Sequence, residues 1–312
     1  MTASTTDTTD YTAQIERIRK LAQEKDVLIL AHNYLNDEIQ ALADITGDSL
    51  GLSIAAAETD KSAILFCGVH FMAESAAILA PEKTVLLPNM EAGCPMADMV
   101  TPEGIEEMRA QYPGAPVVTY VNTTAATKAA SDICCTSANA VKVVNSLEED
   151  EVILVPDRNL GSYIASRVDK VCHLWKGCCP IHHGLDADTM RECLSAHPDA
   201  ISLAHPECIP EVLAQVDHIL STGGMLEFVR NSSHSTFIIA TEHGIACQLR
   251  KDSPDKTFIF PDYEFICKNM KLVTLDDVEH TLNTFENRIT VPEDIRLAAH
   301  RALERMLAIP RD

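Results

Sequence analysis

The segment VLILAHNYL, residues 27–35, contains the pattern that decides the fold, a short β-rich apolar run followed by polar side chains that can do chemistry. Similar runs return along the chain, each followed by turn residues or a helical pattern. The runs cover residues 27–31, 63–67, 84–88, 116–121, 151–156, 170–174, 200–204, 217–220, 236–240 and 257–261. Short apolar strands that alternate with helices are typical of parallel sheets built from βαβ units. The sequence therefore predicts an α/β protein.

The polar motifs at the ends of these strands repeat in phase. Two series keep a spacing of 84 to 88 residues: Ser49, Ser137 and Ser221, and Cys94, Cys179 and Cys267. A fixed period of this kind indicates repeated structural units. We predict three similar αβα domains over residues 14–95, 96–180 and 181–268, after a disordered tail over 1–13. A helical segment over 269–312 should pack back on the first domain, because Thr274 and Asp277 resemble a capping box and an apolar stripe follows Pro292.

The composition excludes several classes of protein. A net charge of -21, from 46 acidic and 25 basic residues, argues against a nucleic-acid or anionic-membrane surface. The opening MTASTTDTTD (1–10) lacks the basic start and apolar stretch of a signal peptide, and no apolar run approaches the ~18 residues of a membrane span. We expect a cytoplasmic enzyme that acts on small molecules.

Eleven cysteines in a reducing compartment do not suggest a disulfide framework, and their odd number also counts against full pairing. Each repeat has one of the three cysteines Cys94, Cys179 and Cys267, placed after its fourth predicted strand. Three thiolates suit a 4Fe–4S cluster that keeps one iron open to substrate, since full ligation takes four. For the other cysteines, burial as small apolar side chains is the simpler interpretation. Cys178 is an alternative to Cys179, which fits the spacing better.

Hydroxyl side chains stand where strands give way to helices, at Ser49, Ser137 and the pair Ser221 and Thr222. Helix N-termini bind phosphate or carboxylate without a basic surface, so an acidic protein could hold an anionic substrate there. For any one serine, simple helix capping is at least as good an explanation.

Proton donors and acceptors follow the first strand of each repeat. These donors and acceptors are His32, Tyr34, Tyr120, Asn122, His205 and Glu207. His182, which lies close after Cys179, belongs to the same group of residues. His205 and Glu207 alternate in what looks like an extended segment, so their side chains should point the same way and form an acid–base pair.

The motifs, taken in order, resemble those of the quinolinate synthase family. They are LAHNYL (30–35), GDSL (47–50), FCGVHFMAE (66–74), PNMEAGCPMADM (88–99), YVNTTAATKAASDICCTSANA (120–140), PDRNLG (156–161), CPIH (179–182), AHPEC (204–208), STGGM (221–225), ATEHGI (240–245) and CKNMK (267–271). The resemblance implies three αβα domains around a pseudo-threefold axis, with one [4Fe–4S] cluster held by the three cysteines. This sequence differs from some members of the family in having the Cys178–Cys179 doublet and in lacking a CxxC motif near Cys267.

The implied reaction condenses iminoaspartate with dihydroxyacetone phosphate and gives quinolinate, phosphate and water for NAD biosynthesis, without net electron transfer. An aspartate oxidase or dehydrogenase would supply the iminoaspartate. Residues that would contact the substrate by this resemblance are His32, Ser49, Tyr120, Asn122, Ser137, His205, Glu207 and Thr222. Tyr34 and His182 would assist, and Glu207 with Tyr120 would move protons while the open iron polarises the departing hydroxyl.

Two other classes of protein fit parts of the pattern. A reductive dehydroxylase of isoprenoid precursors also uses three cysteines, but it needs an electron donor and a diphosphate substrate. A non-catalytic iron–sulfur redox sensor needs a nucleic-acid or partner surface, which the negative charge disfavours.

Overall fold

The computed structural model of the protein describes residues 11–310, which form fifteen α-helices and twelve β-strands. The strands are β1 (Val27–His32), β2 (Ile45–Gly47), β3 (Ala63–Cys67), β4 (Thr84–Leu86), β5 (Val117–Tyr120), β6 (Ile133–Cys135), β7 (Glu151–Val155), β8 (Val171–Leu174), β9 (Ile201–Ala204), β10 (His218–Ile219), β11 (Thr236–Ala240) and β12 (Thr257–Ile259).

The helices surround these strands in chain order. They are α1 (Thr12–Glu24), α2 (Asp37–Leu42), α3 (Ser49–Glu58), α4 (His70–Leu79), α5 (Pro102–Gln111), α6 (Ala125–Ala129), α7 (Ala140–Asn145), α8 (Arg158–Ala165), α9 (Pro180–His183), α10 (Ala187–Ala196), α11 (Pro210–Leu213), α12 (Thr222–Asn231), α13 (Ile245–Asp252), α14 (Leu275–Thr284) and α15 (Glu293–Leu307). Of the predicted tail over 1–13, residues 1–10 lie outside the described residues, and α1 already begins at Thr12. No helix within 11–310 is long and apolar enough to cross a membrane.

The strands form three parallel sheets of four, and each sheet has the same strand order. The orders are β2-β1-β3-β4, β6-β5-β7-β8 and β10-β9-β11-β12. All strands of a sheet come from one of the three predicted sequence ranges. This confirms the α/β class, with three parallel sheets interleaved with helices. We call the first, second and third sets of elements the first, second and third units.

In every unit, an aspartate forms a hydrogen bond to the first strand. Asp44, Asp132 and Asp217 each accept, through Oδ2, the backbone N–H of the residue fifteen positions earlier, at 2.8, 2.7 and 2.8 Å. Each aspartate stands just before the second strand and bonds to the first strand of its unit. The repeat is therefore present in side-chain contacts as well as in strand order.

Several strands end earlier than their apolar runs predict. Strand β5 is shorter than the apolar run 116–121, and β12 is shorter than the run 257–261. Pro116 and Pro261 lie outside these strands, because proline has no N–H to donate to a neighbouring strand. The run 84–88 ends at Leu86, because the N–H of Leu87 donates to the carbonyl of Asn287 instead. Strand existence followed from composition, while strand ends depended on these local contacts.

The C-terminal helices pack on two units rather than one. Thr274 and Asp277 form the predicted capping box of α14, which packs against α1 and β3 of the first unit. Helix α15 packs against α6 and β6 of the second unit as well as α4 of the first. Its apolar stripe, which includes Ala299 and Met306, joins a core built from second-unit strands. The tail thus contacts the first unit through both α14 and α15, and α15 contacts the second unit as well.

Candidate active site and metal centre

A cavity of about 730 Å³ lies at the carboxyl ends of strands from all three sheets. Ligands bind at this edge in open parallel sheets, because the loops that follow the strands converge there. Of the fourteen residues singled out in the sequence, thirteen line it: His32, Tyr34, Ser49, Cys94, Tyr120, Asn122, Ser137, Cys179, His182, His205, Glu207, Thr222 and Cys267. The fourteenth, Ser221, caps α12 instead by accepting from Gly224 N–H.

The strand register explains why these residues meet. Ala31, Thr119 and Ala204 pair with the last residues of the third strands of their sheets. The next residue in each case is His32, Tyr120 or His205, so these three occupy equivalent positions. Two residues further on are Tyr34, Asn122 and Glu207, which also line the cavity. Each unit thus contributes the same pair of positions.

The three candidate cluster cysteines are held by equivalent loops, which we call the cysteine arms (residues 92–97, 177–182 and 265–270). In each arm, the carbonyl two residues before the cysteine accepts a backbone N–H from the loop after the unit's third strand. The bonds are His70 N–H to Ala92 at 2.8 Å, Arg158 N–H to Gly177 at 2.8 Å and His243 N–H to Phe265 at 2.9 Å. All three of these cysteines line the cavity.

Each of these thiols accepts backbone hydrogen bonds from the turn that follows it. The donors are Met96 and Ala97 for Cys94, His182 for Cys179, and Asn269 and Met270 for Cys267. Without a bound cation, burial raises the pKa of Cys94 to about 12, and it also raises the pKa of Cys179 and of Cys267. Backbone donors aimed at sulfur are a means of tuning iron–sulfur centres.

This donor set fits an iron–sulfur cluster. Three thiols line one cavity, all eleven cysteines are free, and the N–H groups around the sulfurs would stabilise thiolates. Cys179 lines the cavity, whereas Cys178 lies outside its lining, with its backbone N–H towards the sulfur of Met99. Of the cysteines assigned to packing, four are buried, namely Cys67, Cys134, Cys135 and Cys208, whereas Cys172, Cys193 and Cys247 are partly buried.

A second group of possible ligands lies beside Cys179. Its sulfur, a ring nitrogen of His182 and a carboxylate oxygen of Glu207 all lie within 4.8 Å of one another. His182 Nδ1 is 2.7 Å from Glu207 Oε2 and 3.3 Å from the sulfur. Because the imidazole and the carboxylate already bond to each other, they are better placed for proton transfer next to the metal centre.

Glu207 is the centre of the acid–base group. Its burial opposes ionisation, but the neighbouring rings of His205 and His182 and the hydrogen bonds from His182 and Tyr120 outweigh burial and lower its pKa. The carboxylate is therefore ionised at neutral pH. Its side chain is buried, so it can serve as a proton acceptor shielded from solvent.

Four other titratable groups near Glu207 are uncharged at neutral pH. Burial lowers the pKa of His32 to about 4 and that of His205 to about 3. Burial also raises the pKa values of Tyr34 and Tyr120 well above their usual range, and Glu207 raises that of Tyr120 further. The two phenols stay protonated and can donate hydrogen bonds.

His205 and Glu207 reach the cavity by a turn and not along an extended segment. The N–H of Cys208 bonds to the carbonyl of His205 at 2.9 Å, and the Glu207 N–H points at His205 Nδ1 at 3.3 Å. Pro206 occupies the second position of this turn, which its fixed φ favours. The prediction of a shared direction holds, although its geometric reason was wrong.

The hydroxyl residues differ in their relation to helix ends. Ser49 and Thr222 are the first residues of α3 and α12. Ser137 lies in a turn before α7, where its hydroxyl is 3.2 Å from His205 Nε2. All three line the cavity. The α3 end carries its own acid, since the Asp48 carboxylate accepts from Gly51 N–H.

Sequence reasoning missed four polar residues at the site. Asp48 and Glu242 line the cavity, Thr241 bonds to both Tyr34 and His182, and Asp157 bonds to the Cys179 backbone. Each follows the second or third strand of its unit. Asp48 directly precedes the Ser49 that the repeat phase selected, and the same phase could have found Asp157 and Glu242, had the ends of the third strands been compared as well.

Comparison with known proteins shows the family to which the chain belongs. The family model for NadA, described as quinolinate synthetase A protein, matches residues 16–308. The quinolinate synthase of Geobacter metallireducens is 58% identical over 297 residues, covering 95% of this chain and 98% of that protein. Quinolinate synthase 1 of Methanosarcina acetivorans is 50% identical over 295 residues, covering 95% of this chain and 97% of the relative. The chain therefore belongs to the quinolinate synthetase A family.

Proposed function

We propose that this chain catalyses the quinolinate synthase reaction of NAD biosynthesis, condensing iminoaspartate with dihydroxyacetone phosphate to give quinolinate, phosphate and water. The observation that carries the proposal is the meeting of three thiols and a buried acid–base group in one cavity. Identity of 58% to named quinolinate synthases over nearly the whole chain supports it. The reaction is a condensation and dehydration with no net redox change.

Cys94, Cys179 and Cys267 would be the three protein ligands of one [4Fe–4S] cluster. Such a cluster, when bound, supplies an open Lewis-acidic iron that polarises a substrate oxygen. We also propose that the three units surround a pseudo-threefold axis, which their identical strand orders and equivalent cysteine arms support.

The protein's own residues would bind anionic substrates without a basic patch. Ser49, Ser137 and Thr222 offer hydroxyls, and the α3 and α12 ends offer backbone N–H groups. The neutral imidazoles of His32 and His205 and the amide of Asn122 add further polar contacts. Uncharged hydrogen-bond donors of this kind can hold carboxylate and phosphate groups in a protein with a net charge of -21.

Proton transfer would centre on Glu207. The ionised carboxylate can remove a proton from a substrate carbon, and the protonated Tyr120 beside it can return one to an oxygen or a neighbouring carbon. His182 holds the carboxylate in place through the 2.7 Å contact.

The expected partners are the two small substrates, with iminoaspartate supplied by an aspartate oxidase or dehydrogenase. No nucleic-acid or membrane partner is proposed. We place the reaction in the cytoplasm, where a reducing environment would keep the eleven free cysteines unpaired.

The test is an anaerobic assay with the reconstituted protein, iminoaspartate and dihydroxyacetone phosphate, with no reductant added. Quinolinate should form. The Glu207→Gln variant, with the same iron content per chain, should form it about 10²- to 10⁴-fold more slowly, as removal of a general base does. Near-normal turnover would remove Glu207 from the mechanism, and no quinolinate from a fully loaded wild-type protein would overturn the proposed function.

A further inference from the structure

The equivalent backbone bonds of the cysteine arms align one position in all three units. It lies two residues after the third strand, and the next residue gives its N–H to the arm. The first unit has Val69 there, the second Asp157 and the third Glu242. All three side chains are buried. Because valine occupies the position in the first unit, the fold itself does not require a carboxylate there.

In the second unit, Asp157 is bonded to the cysteine itself. Its Oδ2 accepts the backbone N–H of Cys179 at 2.7 Å. Its Oδ1 accepts the N–H groups of Asn159 and Leu160 at 2.8 and 2.9 Å, which caps α8. A single carboxylate thus bonds to both the Cys179 backbone and the start of α8, which restricts the position of the cysteine.

Glu242 does the same for the third cysteine. Its Oε1 accepts the backbone N–H of Cys267 at 3.1 Å and lies 3.1 Å from Lys271 Nζ, while Oε2 accepts from Gly244 N–H at 2.6 Å. Lys271 also donates to the carbonyl of Tyr34 at 2.5 Å. The cysteine, its carboxylate and a cavity tyrosine are therefore joined through one lysine.

The first arm is held differently. Val69 has no acceptor for the Cys94 N–H. Besides the bond from the His70 N–H to Ala92, this arm is bonded to the Cys267 arm, since Asn269 Nδ2 donates to the carbonyl of Gly93 at 2.8 Å. The Cys94 arm is therefore linked directly to the Cys267 arm.

We propose that Asp157 and Glu242 are positioning residues that fix the Cys179 and Cys267 arms for the cluster, with the Cys94 arm aligned on the latter through Asn269. The inference rests on the proposed function only in taking these cysteines as cluster ligands. Buried carboxylates beside thiolates are costly for the protein alone, and residues behind metal ligands commonly orient them.

The test compares the iron content of variants after anaerobic reconstitution and the rate at which a colorimetric chelator removes the iron. Asp157→Ala and Glu242→Ala should lose iron about tenfold faster than the wild type, as loss of a ligand-orienting residue does. The matched controls are Asp186→Ala, which removes the aspartate cap of α10, and Asp217→Ala, which removes a carboxylate bonded to the Ser202 N–H. Both controls should keep the wild-type rate.

Asp157→Asn and Glu242→Gln give a readout that does not depend on the alanine variants folding. Both keep one oxygen for the cysteine N–H, but their amide NH2 cannot accept the N–H groups that the other carboxylate oxygen accepts in the wild type. They should lose iron more slowly than the alanine variants, and the changed hydrogen bonds behind the cysteine should shift the cluster's reduction potential and its electron paramagnetic resonance spectrum in the reduced state.

Two results would overturn the inference by itself, given a wild-type protein that holds a full cluster. One is an unchanged iron-loss rate in folded alanine variants, and the other is an unchanged potential and spectrum in the amide variants. A wild-type chain that binds no cluster would instead overturn the proposed cofactor, and the inference with it.

Discussion

At the scale of single residues, Thr241 connects the two sides of the cavity. Its buried hydroxyl is 2.6 Å from the Tyr34 hydroxyl and 2.8 Å from His182 Nε2. Tyr34 in turn is 2.8 Å from the Thr222 hydroxyl, and His182 Nδ1 is 2.7 Å from Glu207. With a neutral imidazole, all the donors can point the same way, from Thr222 to Glu207. The cavity therefore contains an unbroken hydrogen-bonded chain along which a proton can move.

Replacing Thr241 by valine keeps the shape of the side chain and breaks this chain. The change leaves His182 Nε2 without a partner, so the ring loses its fixed tautomer. We expect kcat to fall roughly tenfold or more, with KM for dihydroxyacetone phosphate and iron content close to wild type. Steady-state kinetics of the reconstituted protein measures this.

Thr281→Val is the matched control for this substitution. Thr281 is also fully buried, and its hydroxyl bonds to the carbonyl of Pro88 outside the cavity lining. This variant should lose some stability and keep its kcat. Equal kcat values in the two variants would show that Thr241 contributes packing alone.

The sequence predicted the residues that line the cavity better than it predicted the residues that support them. Cys94, Cys179 and Cys267 could be chosen from eleven cysteines because their spacing is in phase with the serines. Thr241 could not, since nothing in a sequence shows that the hydroxyl after a buried strand will reach a tyrosine and a histidine from other units. Side chains that act through another residue have no spacing rule of their own.

At the scale of elements, each unit is built around the aspartate that joins its first two strands. In the second unit, Asp132 Oδ2 accepts the N–H of Val117 at 2.7 Å and bonds to Arg109 at 2.9 Å. It stands at the amino end of β6, away from the cavity at the carboxyl ends. Its role is therefore to hold two parallel strands in register.

Asp132→Ala should lower the free energy of unfolding of the metal-free protein by about 1–3 kcal/mol, the range for a hydrogen bond to a charged group whose donor is left unpaired. Denaturant titration measures the loss. The exposed Asp169 of the same unit is the control, and Asp169→Ala should stay within about 0.5 kcal/mol of wild type. If the two variants were equally stable, the aspartate would not be holding the strands.

Elements were the most predictable level of this fold. Strands such as β1 and β3 are continuous apolar runs, because both faces of a parallel sheet are covered by helices. Their ends were less predictable, since Leu87 leaves its sheet for a contact with Asn287, two hundred residues away. A contact of that kind has no local pattern.

At the scale of the whole molecule, the units share their cores. One hydrophobic core combines β1 and β3 of the first unit with Leu203, Phe237 and Ile239 of the third. Another combines second-unit strands with α15. Periodicity shows that a helix face is buried but not which unit covers it, so the contact of α15 with the second unit could not be predicted from its apolar stripe. Because the units share cores, we expect their assembly not to depend on a metal centre.

Removing the cluster should for that reason loosen the cysteine arms and leave the sheets intact. A group bound only by the folded protein stabilises it by mass action, so the metal-free form should melt about 5 °C or more below the loaded form. Hydrogen exchange should rise in residues 92–97, 177–182 and 265–270 and stay slow in β1, β5 and β9. Calorimetry and exchange mass spectrometry on the same samples measure both effects.

Cys179→Ser should behave as the metal-free protein does, while Cys178→Ser, its neighbour outside the cavity lining, should behave as the loaded one. Loss of protection throughout the sheets would mean that the cluster, and not the shared cores, holds the three units together.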